Sequence, residues 1–291
     1  MGLDFLTAFS RINTDLRRIC KNTSTPLYIL CKIRSAAANK LIEEGFTTLL
    51  IEEGFTTLKT EDGKMKEKDA SARTHIAIIL DRTGSMESIR NDVIGGFNSF
   101  LKSQKELPGV ATLTLVQFDS QDPYEVVHMM KPVAKIPDLD SKTYAPRAST
   151  PLLDAIGWGI NDLEKHLAEI GKEEMPEKIV FVIITDGQEN ASKEFTKEQI
   201  VKMIKIRQEK DKWQFVFLSA DLDSIADAAS YGFKDAATMK FKKDAMGSMD
   251  MFKSCSDIIA KFRLYESGEA TFSDEDRRKQ EEHPVSNIKI D

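Results

Sequence analysis

The chain has 291 residues, of which 30% are charged and 41% hydrophobic, and its formal net charge is −6. This composition is typical of a globular protein, and the negative charge argues against nucleic acid as a partner of the whole molecule. The three cysteines show no metal-binding spacing, and their odd number favours a reducing, cytoplasmic location. No apolar run approaches the roughly 18 residues of a transmembrane helix, and the N-terminus lacks a secretion-signal pattern.

The chain divides into three predicted parts: a helical N-terminal extension with a linker (1–72), a main domain (73–266) and a charged, loosely held C-terminal tail (267–291). Within the extension, residues 1–40 combine helical spacing of apolar side chains with a net charge of +5. The nine residues 41–49 are repeated without change at 50–58. Two short copies are too few for a solenoid, so we interpret them as a recent local duplication.

From Thr74 onward, apolar runs alternate with amphipathic stretches, which indicates an α/β protein with a mainly parallel sheet. The predicted strands are 74–80, 111–118, 124–130, 178–185, 213–220 and 237–241. The predicted helices are 86–106, 151–170 with Thr150 as N-cap, 195–210, 222–231 and 247–264. The short connection 120–123 predicts a hairpin, so the third strand should be antiparallel. Gly95 and Gly96 interrupt the first helix, which would suit close packing against the sheet or a hinge.

Polar side chains follow two of the predicted strands and precede one helix. Asp81-x-Thr83-x-Ser85 comes directly after the first strand, and Asp186 follows the fourth. Thr150 stands before Pro151, at the start of a helix. Open α/β sheets bind their ligands at the carboxyl ends of the strands. A ligand set of oxygens alone suits a hard cation such as Mg²⁺.

These segments resemble the metal-ion-dependent adhesion site of von Willebrand factor A domains, which is written Asp-x-Ser-x-Ser, then a distant Thr and a distant Asp. The flanking sequences are similar too, at Ile78–Met86, Ser149–Gly157 and Ile183–Gly187. The resemblance covers about residues 74–265, and it is greatest to the stand-alone intracellular members of bacterial or phage type. The departure is Thr83, which keeps the hydroxyl of the family's serine and adds a methyl group.

The resemblance implies a doubly wound, Rossmann-like sheet of six mostly parallel strands in the order 3-2-1-4-5-6, with one antiparallel edge strand and flanking helices. It also implies that Mg²⁺, or alternatively Mn²⁺ or Ca²⁺, is held by five side chains: Asp81, Thr83, Ser85, Thr150 and Asp186. Two carboxylates and three neutral hydroxyls do not over-neutralise a divalent cation, so the metal can accept a carboxylate from outside. We therefore expect a metal-dependent protein-binding module, not an enzyme, whose partner protein supplies an Asp or Glu side chain.

Two alternative functions stay open at this point. The same site could serve a metal-dependent phosphoester hydrolase, with Glu87, Asp119 or Glu189 activating water. The chain contains no Walker loop, Gly-x-Ser-x-Gly or His-Glu-x-x-His motif that would favour an enzyme. The basic segment 1–40 could instead make the protein a scaffold that binds a membrane or nucleic acid.

Overall fold

A computed structural model describes residues 73–265 and 269–281, which belong to a unit spanning Glu67–Asp291. The predicted helices and the repeated segment within 1–72 lie outside the described residues. No helix in the described ranges is both long enough and apolar enough to cross a bilayer.

The described strands form a single sheet in the order β3-β2-β1-β4-β5-β6. The strands are β1 (Thr74–Asp81), β2 (Ala111–Phe118), β3 (Glu125–Pro132), β4 (Lys178–Thr185), β5 (Gln214–Ser219) and β6 (Thr238–Lys240). All neighbouring pairs are parallel except β2 and β3, which are antiparallel. The predicted fold class, strand order and antiparallel edge strand are therefore confirmed. The same order makes β1 and β4 neighbours, so the two segments that carry Asp81 and Asp186 end side by side.

Six α-helices accompany the sheet in the described ranges. They are α1 (Arg90–Glu106), α2 (Leu152–Glu169), α3 (Lys197–Lys210), α4 (Leu222–Ala228), α5 (Ala245–Leu264) and α6 (Asp274–Glu281). The first predicted helix differs in its opening turns, because Gly84–Ile89 forms a 3₁₀ helix and α1 begins only at Arg90. The motif Asp81-x-Thr83-x-Ser85 therefore continues into a tight 3₁₀ turn instead of an α-helical N-terminus.

Both faces of the sheet are covered, and β1 contributes to both. Ile76, Ile78 and Leu80 face one hydrophobic cluster, which includes side chains of α1 and α5, whereas Ala77 and Ile79 face the cluster that includes α2 and α3. Strands buried on both faces read as continuous apolar runs, which explains why β1 and β4 were predictable. The predicted stripe of the closing helix is also buried, at Phe252, Cys255, Ile259 and Phe262.

The two adjacent glycines of α1 have different surroundings. A Cβ on Gly96 would lie 2.2 Å from Cδ2 of Phe252, whereas a Cβ on Gly95 would meet nothing within 4 Å. Gly96 therefore allows α1 to approach α5 rather than the sheet, so the first of the two explanations, packing against the sheet, is wrong for this residue. The surroundings of Gly95 give no such packing reason for a glycine.

Part of the predicted C-terminal tail packs on the domain. Ala270 and Phe272 are buried in the cluster shared with α1 and α5, and helix α6 follows them. The Asp276 carboxylate accepts a hydrogen bond from the hydroxyl of Ser254 in α5 at 3.1 Å. The prediction of a loosely held tail is thus wrong for residues 269–281, because the charged helix is held by specific polar contacts.

Candidate metal centre

The Asp81 carboxylate lies at the end of β1 and is completely buried. Its Oδ1 accepts a hydrogen bond from the backbone N–H of Thr83 at 2.6 Å, and its Oδ2 accepts one from the Thr185 hydroxyl at 2.6 Å. The pKa of Asp81 is raised to about 7, chiefly by burial and in smaller part by the negative charge of Asp186, while hydrogen bonds from Thr185 and Thr83 act in the opposite direction. A cation at this position would stabilise the ionised carboxylate.

The two hydroxyls of the predicted motif connect to the second carboxylate. The Ser85 hydroxyl donates to Oδ1 of Asp186 at 2.6 Å, and Oγ1 of Thr83 lies 3.0 Å from Oγ of Ser85. Residues from the ends of β1 and β4 therefore form one continuous set of oxygens.

Thr150 joins the same space from the segment before α2. A Cβ placed on Gly187 would lie 3.5 Å from Oγ1 of Thr150 and 3.8 Å from Oγ of Ser85. The absence of a side chain at Gly187 thus leaves a small volume that both hydroxyls face. All five predicted ligands, from three separate segments, come together at this edge of the sheet.

The predicted role of Thr150 as a helix cap is wrong. Pro151 is the N-cap of α2, and no side chain of the cap residue bonds to the helix. Thr150 instead pairs with Asn190, because its N–H donates to Asn190 Oδ1 at 2.9 Å and its carbonyl accepts from Asn190 N–H at 3.1 Å. These bonds leave the Thr150 hydroxyl directed to the space beside Gly187.

The first turn of α2 is capped by side chains from the loop after β4. Glu189 accepts from the backbone N–H of Leu153 at 2.8 Å, and the Ser192 hydroxyl accepts from that of Asp154 at 3.0 Å. The Asp154 carboxylate in turn accepts backbone N–H bonds at residues 193–195. This reciprocal capping fixes Thr150 and Asp186 relative to each other, and the sequence contained no local signal for it.

An ion-pair network centred on the buried Asp119 supports the loop that carries the motif. Arg82 lies between Asp81 and Thr83, and its guanidinium forms an ion pair with Asp119 at 2.8 Å. Arg147 binds the same carboxylate at 2.9 Å. Burial would raise the pKa of Asp119, but hydrogen bonds from Arg147, backbone N–H groups and Arg82 outweigh it and keep this pKa below its usual range. The network joins the loop after β1 to the segment that leads to Thr150.

Tyr144 adds a second anchor on that segment. Its hydroxyl donates to the carbonyl oxygen of Asp81 at 2.7 Å, and its side chain is fully buried. The Arg90 side chain donates to the backbone carbonyl of Tyr144 at 3.1 Å. Neither contact was predicted from the sequence, because the partners are more than fifty residues apart along the chain.

The second oxygen of Asp186 is already paired with a cation. Oδ2 is buried, and the ammonium of Lys243 forms an ion pair with it at 2.6 Å. Leaving a buried carboxylate oxygen without a donor is costly unless a cation is near.

The donor set fits a hard divalent cation and disfavours a soft one. The described residues contain no group of three or more His, Cys, Asp and Glu side chains suited to a metal, so a metal here would need hydroxyl, carbonyl or water oxygens as well. Carboxylates, hydroxyls and water are the ligands that Mg²⁺ and Mn²⁺ prefer. When bound, the ion supplies a Lewis-acidic centre that these five side chains would hold at the sheet edge.

Comparisons with known proteins bear on the fold. No protein-family model and no curated protein matches the chain. Among solved structures, the open conformation of the pilus adhesin SpaC from Lactobacillus rhamnosus GG matches with a TM-score of 0.50 and 13% identity, over 68% of this chain and 31% of the adhesin. The chain thus spans about a third of the length of that adhesin, and at this identity the likeness concerns the fold alone.

Two further matches have lower scores. A von Willebrand factor type A structure from Catenulispora acidiphila aligns at 13% identity over 66% of this chain and 42% of its own, with a TM-score of 0.42. The mussel byssus protein PTMP1 with a zinc-occupied MIDAS motif aligns at 16% identity over 68% and 49%, with a TM-score of 0.44. At these TM-scores, neither likeness supports a conclusion about the fold. On its strand order, its antiparallel edge strand and its converging motif segments, the described domain has the von Willebrand factor A fold.

Proposed function

We propose that this protein is a metal-dependent protein-binding module whose metal centre captures an acidic side chain of a partner protein. The observation that carries the proposal is the convergence of the five predicted ligands around two buried carboxylates, those of Asp81 and Asp186. Mg²⁺ is the ion we propose for the cell, with Mn²⁺ or Ca²⁺ as substitutes. The assignment to the stand-alone intracellular type and the cytoplasmic location stay predictions.

The roles of the ligands follow from their charges. Asp81 and Asp186 supply two negative charges, which balance a divalent cation without exceeding its charge. Thr83, Ser85 and Thr150 supply neutral oxygens, so the complete centre does not repel an incoming anion. Mg²⁺ keeps exchangeable waters when it is bound by few carboxylates, and a carboxylate of a partner can replace one of them.

The first experiment measures metal binding by the full chain. Isothermal titration with Mn²⁺ should show one site in the wild type and none in the Asp81→Ala, Asp186→Ala double variant. Asp223→Asn is the matched control, because it removes a carboxylate that contacts Gln188 near the same edge but is not one of the five ligands. This control should bind Mn²⁺ like the wild type.

The second experiment tests protein binding. Full-length protein immobilised in Mg²⁺ should retain a partner from a lysate of its own source, and EDTA should elute that partner. Bait carrying the double substitution should retain none of it, whereas Asp223→Asn bait should retain it fully. A partner held equally well by the double variant would contradict the proposed metal bridge.

The contacts of the candidate bases do not favour the hydrolase alternative. Both oxygens of Glu189 accept hydrogen bonds from the 191–192 segment and from Leu153, and Asp119 is bound by Arg82 and Arg147. Neither of these two carboxylates is available to activate water. The third candidate, Glu87, has a side chain that is 60% exposed and lies 3.6 Å from Arg90. The absence of an enzymatic function therefore stays a prediction. The scaffold alternative depends on residues 1–40, which lie outside the described residues, and it stays a prediction.

A further inference from the structure

Lys243 brings a positive charge to the candidate metal centre from a distant part of the chain. It lies in the connection between β6 and α5, and its ammonium is 2.6 Å from Oδ2 of Asp186. The Asp186 side chain is fully buried in this contact, whereas that of Lys243 is 35% exposed. An ion pair with one buried member counters the desolvation of that member, so it has more influence than a pair on the open surface.

The connection that carries Lys243 is held in place on both sides. The backbone N–H of Lys242 donates to Oε1 of Gln280 in α6 at 3.0 Å, and the amide of Gln280 donates to the carbonyl of Gly247 at 3.1 Å. Asp244 caps α5 by accepting from the N–H of Gly247 at 2.7 Å. These bonds position the backbone so that the long side chain of Lys243 reaches Asp186.

We propose that Lys243 is a built-in counter-ion that competes with the divalent cation for Asp186. The inference rests on the proposed metal site. Asp81 and Asp186 contribute two negative charges when ionised, and the ammonium neutralises one of them in the metal-free protein. A divalent cation among the same oxygens repels the ammonium, so metal loading requires the ion pair with Asp186 to open.

This competition sets the metal concentration at which the site is filled. Part of the metal's binding free energy is used to displace Lys243, so the apparent affinity is lower than the five ligands alone would give. Arg82, although it is adjacent to Asp81 in sequence, does not share this role, because its guanidinium is directed to Asp119. Lys243 therefore acts on metal binding through its charge on Asp186, and it is not a metal ligand.

The test is the Mn²⁺ affinity of the full chain, measured by isothermal titration for the wild type and three variants. Lys243→Gln removes the competing charge and should bind Mn²⁺ about tenfold more tightly, the scale of one unit charge acting on a divalent ion over several ångström in a water-like medium. Lys243→Arg keeps the charge and should bind with an affinity close to that of the wild type. Lys240→Gln removes an equal charge from the exposed end of β6 and should also resemble the wild type.

The possible outcomes distinguish a failure of the counter-ion role from a failure of the proposed metal site. If the wild type binds Mn²⁺ and Lys243→Gln binds equally or more weakly, the counter-ion role is wrong while the metal site stands. A Lys240→Gln variant that tightens binding as much as Lys243→Gln also overturns the role, since the effect would then be one of net charge. If neither the wild type nor Lys243→Gln binds Mn²⁺, the proposed function and the inference both fail.

Discussion

His75, at the start of β1, is completely buried, and its Nδ1 lies 2.9 Å from the Thr112 hydroxyl. Burial lowers the pKa of His75 to about 3, because the charged imidazolium would lose its hydration. The unfolded chain, whose histidines have a pKa near 6.5, therefore binds a proton between about pH 6.5 and pH 3 that the folded protein does not bind. His75 thus makes the free energy of unfolding fall as the pH falls through this window.

The substitution His75→Gln tests this linkage, since glutamine can keep the hydrogen bond to Thr112 and does not titrate. Between pH 7 and pH 5 the wild type should lose about 2 kcal/mol more stability than the variant, from about 1.4 kcal/mol per pH unit below the unfolded pKa. Urea unfolding of both proteins at the two pH values measures the difference. Parallel losses in the two proteins would show that His75 is protonated in the folded state as readily as in the unfolded one.

The five candidate ligands could be named from the sequence because each belongs to a short motif at the end of a strand or before a helix. Their partners were not predictable, since Thr185, Tyr144 and Lys243 reach the site only through the folding of distant segments. The wrong cap assignment has the same origin. A threonine before Pro151 is a favourable cap by local rules, but Asn190 pairs with its backbone and changes its role.

At the scale of the elements, the paired glycines of α1 allow a matched test of helix packing. Gly96→Ala would place a Cβ 2.2 Å from the ring of Phe252 and should lower the free energy of unfolding by about 1–3 kcal/mol. Gly95→Ala enters open space and should raise it by roughly 1 kcal/mol, because alanine favours the helix. Urea unfolding distinguishes the opposite signs. A loss of stability in both variants would mean that the close approach of α1 and α5 is not specific to Gly96.

The elements that the sequence predicted well are those with a continuous or periodic apolar pattern. The predicted limits of β2 and β4 match the structure, and both strands are largely buried. The 3₁₀ turn at Gly84–Ile89 was missed because the buried side chains Met86 and Ile89 continue the apolar spacing of α1. Helix α6 has no apolar stripe at all, and its contacts through Asp276 and Gln280 could not be inferred from periodicity.

At the scale of the whole molecule, the described members of both hydrophobic clusters all belong to the unit Glu67–Asp291. We therefore expect a fragment of residues 67–291 to fold by itself and to unfold cooperatively, with a urea midpoint close to that of the full chain. Circular dichroism and urea titration of both proteins provide the comparison. A fragment that is unfolded, or that loses its cooperative transition, would show that residues 1–66 are required for the core.

The two edges of the sheet also have a consequence for how the protein meets other chains. On one side, β3 contains register irregularities opposite Leu115 and ends at Pro132, which has no N–H to donate. On the other side, β6 has only three residues, and the guanidinium of Arg277 binds the carbonyl of Thr238 at 2.6 Å. Neither edge strand offers a long, regular row of free backbone N–H and C=O groups. Addition of a strand from another chain, as in amyloid, is therefore disfavoured.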